Sequence, residues 1–234
     1  MIRGSFGIGL IVPSSNTVME GDFHRHFQRP ATVSTTRIFL EVVTREGEVK
    51  MNRDELPPSL RLIKTVAPDV VVFGCTSAGS LGGIDYDAAL GRTLSETTGA
   101  SAVTVVASVV AELQSLKPQN VAVFTPYRDD LTRSVAGCIE EAGFRLAKMA
   151  GMGIVSNREI GRVTPEEIVQ FAGDQLRGVD ADCVFLSCTN WRAMEALEAL
   201  RRLLGVPIVT SNQACVDRVA AMMESRARPD EQPA

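Results

Sequence analysis

Val70-Val71-Val72-Phe73-Gly74-Cys75-Thr76-Ser77-Ala78-Gly79 decides the fold. Its apolar run, rich in β-branched residues and bounded by Pro68 and Gly74, reads as a strand buried on both faces of a parallel sheet. Cys75 stands just past the carboxyl end of that strand, where open parallel sheets bind their ligands. The chain carries the same phrase again as Ala181-Asp182-Cys183-Val184-Phe185-Leu186-Ser187-Cys188-Thr189-Asn190. The two Cys-Thr pairs are offset by 188 − 75 = 113 residues, close to half of the 234.

Working outward, the other strand ends keep the same spacing. A first strand, Phe6 to Val12, closes at Pro13-Ser14-Ser15-Asn16-Thr17, and its counterpart, Val121 to Phe124, closes at Thr125-Pro126-Tyr127-Arg128. Second strands at about Val33 to Val43 and Phe144 to Ile154 end at Thr44 and at Val155-Ser156-Asn157. Helices are expected near Val18 to Phe27, Asp54 to Thr65, Tyr86 to Thr97, Ala107 to Leu116, Asp130 to Ala142, Trp191 to Leu204 and Asn212 to Glu224. Another opens at Thr164-Pro165-Glu166-Glu167, where Thr164 and Glu167 have capping-box spacing and Pro165 suits the first turn. Further strands are expected near Ala102 to Val106 and Val206 to Thr210, and a frayed tail from Ser225.

Strands alternating with helices imply parallel α/β sheets. The expected architecture is two pseudosymmetric Rossmann-like α/β domains with the active site in the cleft between them. Residues 1–100 with 210–234 would form the first and 101–209 the second, the final helix packing back on the first. Gly7 and Gly9 suggest a dinucleotide fingerprint, but Val12 stands where the third glycine belongs, so the match fails.

Composition narrows the function. A net charge of −4 argues against nucleic acid, whose binders carry a basic face. No apolar run approaches the ~20 residues needed to span a bilayer, and the N-terminus lacks a basic leader. The five cysteines, Cys75, Cys138, Cys183, Cys188 and Cys215, show no zinc spacing, and without an export signal they are expected to be reduced, in a cytoplasmic protein. Cys138, Cys183 and Cys215 read as small hydrophobes. The only histidines, His24 and His26, follow no apolar strand and are expected on an exposed helix, so a Cys-His or Ser-His pair is disfavoured.

Under the duplication, Cys75 and Cys188 approach one pocket from opposite sides. Each precedes a helix N-terminus, which would favour a thiolate and bind a carboxylate. Thr76, Ser77, Thr189 and Asn190 would add hydroxyl and amide donors, so an anion could be held without Lys or Arg. Asn16, Tyr127 and Asn157 stand at the other matched strand ends, with Ser14 beside Asn16.

These residues resemble the aspartate/glutamate racemase superfamily, and within it the maleate cis-trans isomerase family. The resemblance is carried by Gly9 to Glu20 (GLIVPSSNTVME), Gly74 to Ala78 (GCTSA), Thr125 to Tyr127 (TPY), Asn157, and Ser187 to Asn190 (SCTN), over about residues 5 to 215. Amino-acid racemases of the superfamily usually place His or Glu where Asn190 stands, and arylmalonate decarboxylase keeps only the second cysteine. Both departures point away from those activities.

The resemblance implies a cofactor-independent homodimer, without metal, acting on a small dicarboxylate. Cys75 would add to the alkene of maleate and Cys188 would serve as acid/base. Asn16, Tyr127, Asn157, Ser14, Thr76, Ser77, Thr189 and Asn190 would surround the substrate. Racemisation or decarboxylation through the same enediolate, and non-catalytic binding of a small anion, are the alternatives.

Overall fold

β-Branched side chains are stiff at χ1 and fit a pleated surface covered on both sides, which is why the Val- and Ile-rich runs become central strands. In the computed structural model, which describes residues 5–29 and 31–227, β1 (Phe6–Pro13), β2 (Ala31–Ile38), β3 (Val70–Phe73) and β4 (Ser101–Thr104) form a parallel sheet in the order β2-β1-β3-β4. The second sheet repeats it with β5 (Asn120–Thr125), β6 (Arg145–Gly151), β7 (Cys183–Leu186) and β8 (Ile208–Thr210), in the order β6-β5-β7-β8. The registers repeat too. Ile8 pairs with Val70 and Val33, and Val121, at the offset read from the sequence, pairs with Cys183 and Leu146. The duplicated α/β architecture is therefore as expected.

The central strands β1, β3, β5 and β7 are wholly buried. Helices cover them: α1 (Met19–His26), α2 (Arg45–Lys50), α3 (Leu56–Lys64), α4 (Thr76–Gly79), α5 (Gly83–Thr98), α6 (Val105–Leu116), α7 (Asp129–Glu141), α8 (Asn157–Ile160), α9 (Pro165–Leu176), α10 (Ala193–Leu204) and α11 (Ser211–Ala227). A π-helical turn, Met51–Glu55, joins α2 to α3. Cys138, Cys183 and Cys215 are buried within α7, β7 and α11, and His24 and His26 are exposed on α1, all as expected.

Three differences from the sequence reading have physical causes. The second strands stop at Ile38 and Gly151, short of Val43 and Ile154. Ile38 pairs with Pro13, the last residue of β1, so the chain beyond has no neighbouring strand to join. Its apolar alternation persists in a loop, with Leu40 and Val43 buried and Phe39 and Val42 exposed. That loop meets its counterpart in the other half, where Val43 N–H donates to Val155 O at 2.9 Å. Second, residues 45–55, read as a loop running up to a helix at Asp54, are helical throughout. Third, β4 lies in the first sheet, which therefore runs past residue 100.

The end of the chain ties the halves together. α6, which follows β4, packs on both β4 and β8, and α11, which follows β8, packs on the same two strands. Each half thus lends its last helix to the edge of the other. α11 also reaches α1, with Asn212 Nδ2 donating to Asp22 Oδ2 at 2.6 Å. The tail expected from Ser225 is helical as far as Ala227, and its remainder lies outside the described residues.

Candidate active site

Gly74 is the residue that delivers Cys75. Its N–H makes the last ladder bond, to Ile11 O at 2.7 Å, and the equivalent bond runs from Ser187 N–H to Phe124 O at 2.8 Å. A Cβ on Gly74 would meet Met19 Sδ at 2.5 Å and Ile11 O at 3.0 Å, so only glycine lets the chain turn off the strand beneath α1. Cys75, in extended conformation, then sits at the N-cap of α4.

Both cysteines are buried, Cys75 to 5% exposure and Cys188 to 4%. Backbone N–H groups point at each sulfur, that of Ala78 at Cys75 and those of Asn190 and Trp191 at Cys188. Such bonds favour a thiolate, as the sequence led us to expect. Burial outweighs them. It pushes the Cys75 thiol well above its ordinary range, helped by the charge of Glu48, and pushes Cys188 up to about 12. The Tyr127 hydroxyl is also raised, first by burial and then by the fields of Cys188 and Cys75, and it donates to the Cys188 sulfur. Cys188 in turn raises Cys75. These three groups therefore form one electrostatic cluster at the facing strand ends.

The other candidates build the frame around it. Thr189 Oγ1 donates to Gly74 O at 2.9 Å and accepts from Asn16 Nδ2 at 3.0 Å. Asn16 Oδ1 accepts from the N–H groups of Val18 and Met19, both at 3.1 Å, and so anchors the start of α1. Asn190 Oδ1 accepts from Thr17 N–H at 2.9 Å, while its Nδ2 donates to Asn157 O at 2.6 Å. Asn157 Nδ2 donates to Ser15 Oγ at 2.9 Å. Thr76 Oγ1 bonds Ser211 Oγ at 2.9 Å, and Ser14 Oγ accepts from Leu40 N–H at 3.3 Å. Asn16, Thr76, Asn157, Thr189 and Asn190 thus have protein partners, most of them across the seam between the halves. Arg128 and Arg158 are exposed, and Arg192 pairs with Glu195 at 2.6 Å, so none of these brings a cation to the thiols.

Sequence reasoning missed Glu48. It lies on α2 and is completely buried. Its Oε1 accepts from Ser77 Oγ at 2.5 Å, and Ser77 Oγ lies 3.8 Å from Cys75 Sγ. Its Oε2 has no partner, and burial pushes the carboxyl up to about 8. The available signal was Thr44, whose side chain accepts from Gly47 N–H at the start of α2 with Glu46 and Glu48 following.

Little of the cluster reaches the surface: Cys75, Tyr127, Cys188 and Glu48 are each at most 5% exposed. A surface cavity of about 900 Å³ lies elsewhere, against α5 and α6, lined by Asp87, Gly91, Thr104 and Ala107. Among the described residues, no three His, Cys, Asp or Glu side chains converge as a metal would require.

The family model for arylmalonate decarboxylase matches residues 8–232. The chain belongs to that family. Relatives within reach of it act differently from one another. A maleate isomerase of Nocardia farcinica is 29% identical over 217 residues, covering 88% of this chain and 86% of that protein. An arylmalonate decarboxylase of Bordetella bronchiseptica is 28% identical over 208 residues, covering 88% and 86%. A solved structure of a Nocardia farcinica maleate cis-trans isomerase mutant, holding a covalently bound succinylcysteine intermediate, superposes with a TM-score of 0.86 at 25% identity over 94% of each chain. The kinship with maleate cis-trans isomerases expected from the Gly9–Glu20 and Cys-Thr motifs is borne out.

Proposed function

We propose that this protein is an isomerase that converts maleate to fumarate without a cofactor, with Cys75 as nucleophile and Cys188 as acid/base. The observation that carries the reading is the pair of cysteines at equivalent strand ends in one buried cluster, Cys188 beside the Tyr127 hydroxyl. It is supported by the succinylcysteine held in the related isomerase structure, since succinyl is what a maleate carbon skeleton becomes once sulfur and a proton have added.

Maleate is an electron-poor alkene. Sulfur adds to one alkene carbon, and the π electrons move toward the far carboxylate as an enediolate. The former double bond is then single and rotates. Cys188, holding its proton at neutral pH because burial raises it to about 12, protonates the carbanionic carbon and later takes a proton back. Expulsion of sulfur leaves fumarate. Tyr127 and Asn157 are assigned to the substrate carboxylates, where donors matter most as charge develops. Asn16, Thr76, Thr189 and Asn190 are assigned to holding the two halves in register around them. Ser14 and Ser77 flank the site from the first half.

Incubating wild type, Cys75→Ala and Cys188→Ala with maleate, and following fumarate by proton NMR, tests this. Fumarate is expected from wild type, none from Cys75→Ala, and at least a hundredfold less from Cys188→Ala. Absence of fumarate from wild type, or full turnover by Cys75→Ala, would overturn the reading. Decarboxylation of an arylmalonate is the second reading, favoured by the family model and by the Bordetella relative. Release of carbon dioxide from phenylmalonate, without fumarate from maleate, would establish it instead. We further propose a cytoplasmic homodimer, in keeping with five unpaired thiols and with the resemblance; light scattering would read its mass.

A further inference from the structure

We propose that Glu48 is the proton acceptor for Cys75, working through the Ser77 hydroxyl. This rests on Cys75 being the nucleophile.

The distances lay out a relay: Cys75 Sγ to Ser77 Oγ is 3.8 Å, and Ser77 Oγ to Glu48 Oε1 is 2.5 Å. Once Glu48 ionises, toward pH 8, its carboxylate only accepts, so it claims the single hydroxyl proton of Ser77. The thiol must then donate to Ser77 Oγ, and the chain runs one way, from sulfur to carboxylate. α2 and the π-helical turn after it are fastened to the segment that carries Cys75 and Ser77: Arg45 Nη2 donates to Leu81 O at 2.7 Å and Asn52 Nδ2 to Ala78 O at 3.1 Å.

A base is needed here because burial holds the Cys75 proton tightly and, among the described residues, no cation lowers it. The groups whose fields meet at Glu48 are Cys75, Cys188, Tyr127 and, from α7, Asp130. Arg45, on the same helix, turns away to Leu81 O and Ser134. A carboxyl raised to about 8 is a far stronger base than one in water, yet remains ionisable near neutrality.

The step balances. As the carbon–sulfur bond forms, the thiol proton passes to Ser77 Oγ and the Ser77 proton passes to Glu48 Oε1. Glu48 becomes neutral while the substrate's far carboxylate gains the electron pair. The site with its bound dianion keeps the same total charge throughout, one unit of it moving from Glu48 to the substrate. When sulfur is expelled, both protons return.

The duplication supplies an internal control. At the offset of 113 residues, Asn190 stands for Ser77 and Gly161 for Glu48. At Cys188, then, the register positions of the hydroxyl and the carboxylate of the relay are taken by an amide and a glycine. The relay marks Cys75 as the activated thiol and leaves Cys188 to carry a proton.

Alkylation of Cys75 by iodoacetamide, mapped by mass spectrometry between pH 6 and 10, tests the relay without any substrate. Wild-type alkylation should rise through pH 8. In Glu48→Gln it should be at least tenfold slower at pH 8.5, with its rise displaced to higher pH. Ser77→Ala should be slowed alike, and the double variant no further than either single. If Glu48 acted only as a repelling charge, Glu48→Gln would alkylate faster than wild type, and the proposal falls. Thermal melting checks the fold of each variant; should Glu48→Gln not fold, Ser77→Ala alone decides, and wild-type reactivity in it overturns the relay. Maleate turnover by the same proteins separates the two claims. Slowed alkylation in a protein that ignores maleate sinks the isomerase reading and leaves the relay standing. Unchanged turnover and pH profile in Glu48→Gln does the reverse.

Discussion

At Cys188 the Asn190 N–H donates to sulfur at 3.3 Å, yet burial still lifts the thiol to about 12. Desolvation dominates because little in the cluster is positive and almost no water reaches it. The same physics makes Glu48 a cost to folding. Its carboxyl moves from the ordinary 4.5 to about 8, so the unfolded state loses its proton first. Stability conferred by the protonated form is therefore whole below about pH 4.5 and declines as pH rises toward 8. Glu48→Gln should remove that decline. Urea unfolding should find the variant equal to wild type at pH 4 and more stable at pH 8, by an amount on the order of 4 kcal/mol as an upper bound. A gain of the same size at both pH values would mean that charge is not the cause.

Among the elements, two substitutions separate scaffold from site. Thr164 Oγ1 accepts from Glu167 N–H at 3.2 Å while Glu167 Oε2 accepts from Thr164 N–H at 2.7 Å, the reciprocal capping box expected at the start of α9. Thr164→Ala should cost about 1 kcal/mol of stability and leave turnover unchanged. Gly74→Ala should do both kinds of damage. Met19 Sδ can move, but Ile11 O belongs to the β1 backbone and cannot yield without disturbing the ladder. A loss of about 1–3 kcal/mol is expected, together with a fall in Cys75 reactivity, because the strand end must shift. Denaturant midpoints and alkylation rates measure the two effects. At this scale the strands, the capping box and most helices were legible from periodicity and punctuation. The helix at 45–50 was not, because Arg45, Glu46, Gly47, Glu48, Val49 and Lys50 hold one apolar residue among polar ones and a glycine. Burial of Glu48 against Ser77, a tertiary fact, gives that helix its packed face.

For the whole molecule, polar side chains bridge the seam between the halves. Asn212 Nδ2 bridges Asp22 Oδ2 and Thr189 O, tying α11, α1 and the Cys188 loop together. Burial raises the Asp22 carboxyl against the pull of Asn212 and Arg25. Asn212→Ala would strip a donor from a buried carboxylate, costing about 1–3 kcal/mol. The loss should be greater at pH 7 than at pH 4, because a buried acid that has lost its partner escapes part of the cost by taking a proton. Thermal melts at the two pH values check this, and an equal loss at both would place the effect in packing. The sequence reading expected α11 back on the first half but not α6 on β8, since α6 follows its own strand in sequence and only three-dimensional packing sends it to the other edge.

By itself the sequence determined the two parallel sheets, their internal repeat and the placing of Cys75 and Cys188 at matched strand ends. Those follow from hydrophobic period and spacing, which are local properties of a chain. Only the tertiary structure decided which polar side chains are spent as frame, that the Tyr127 hydroxyl lies beside Cys188, and that Glu48 lies behind Ser77 next to Cys75. Burial and hydrogen-bond partnership depend on segments far apart in the chain: Thr189 closing on Gly74, Glu48 on Ser77. No reading of neighbours along the sequence contains those distances.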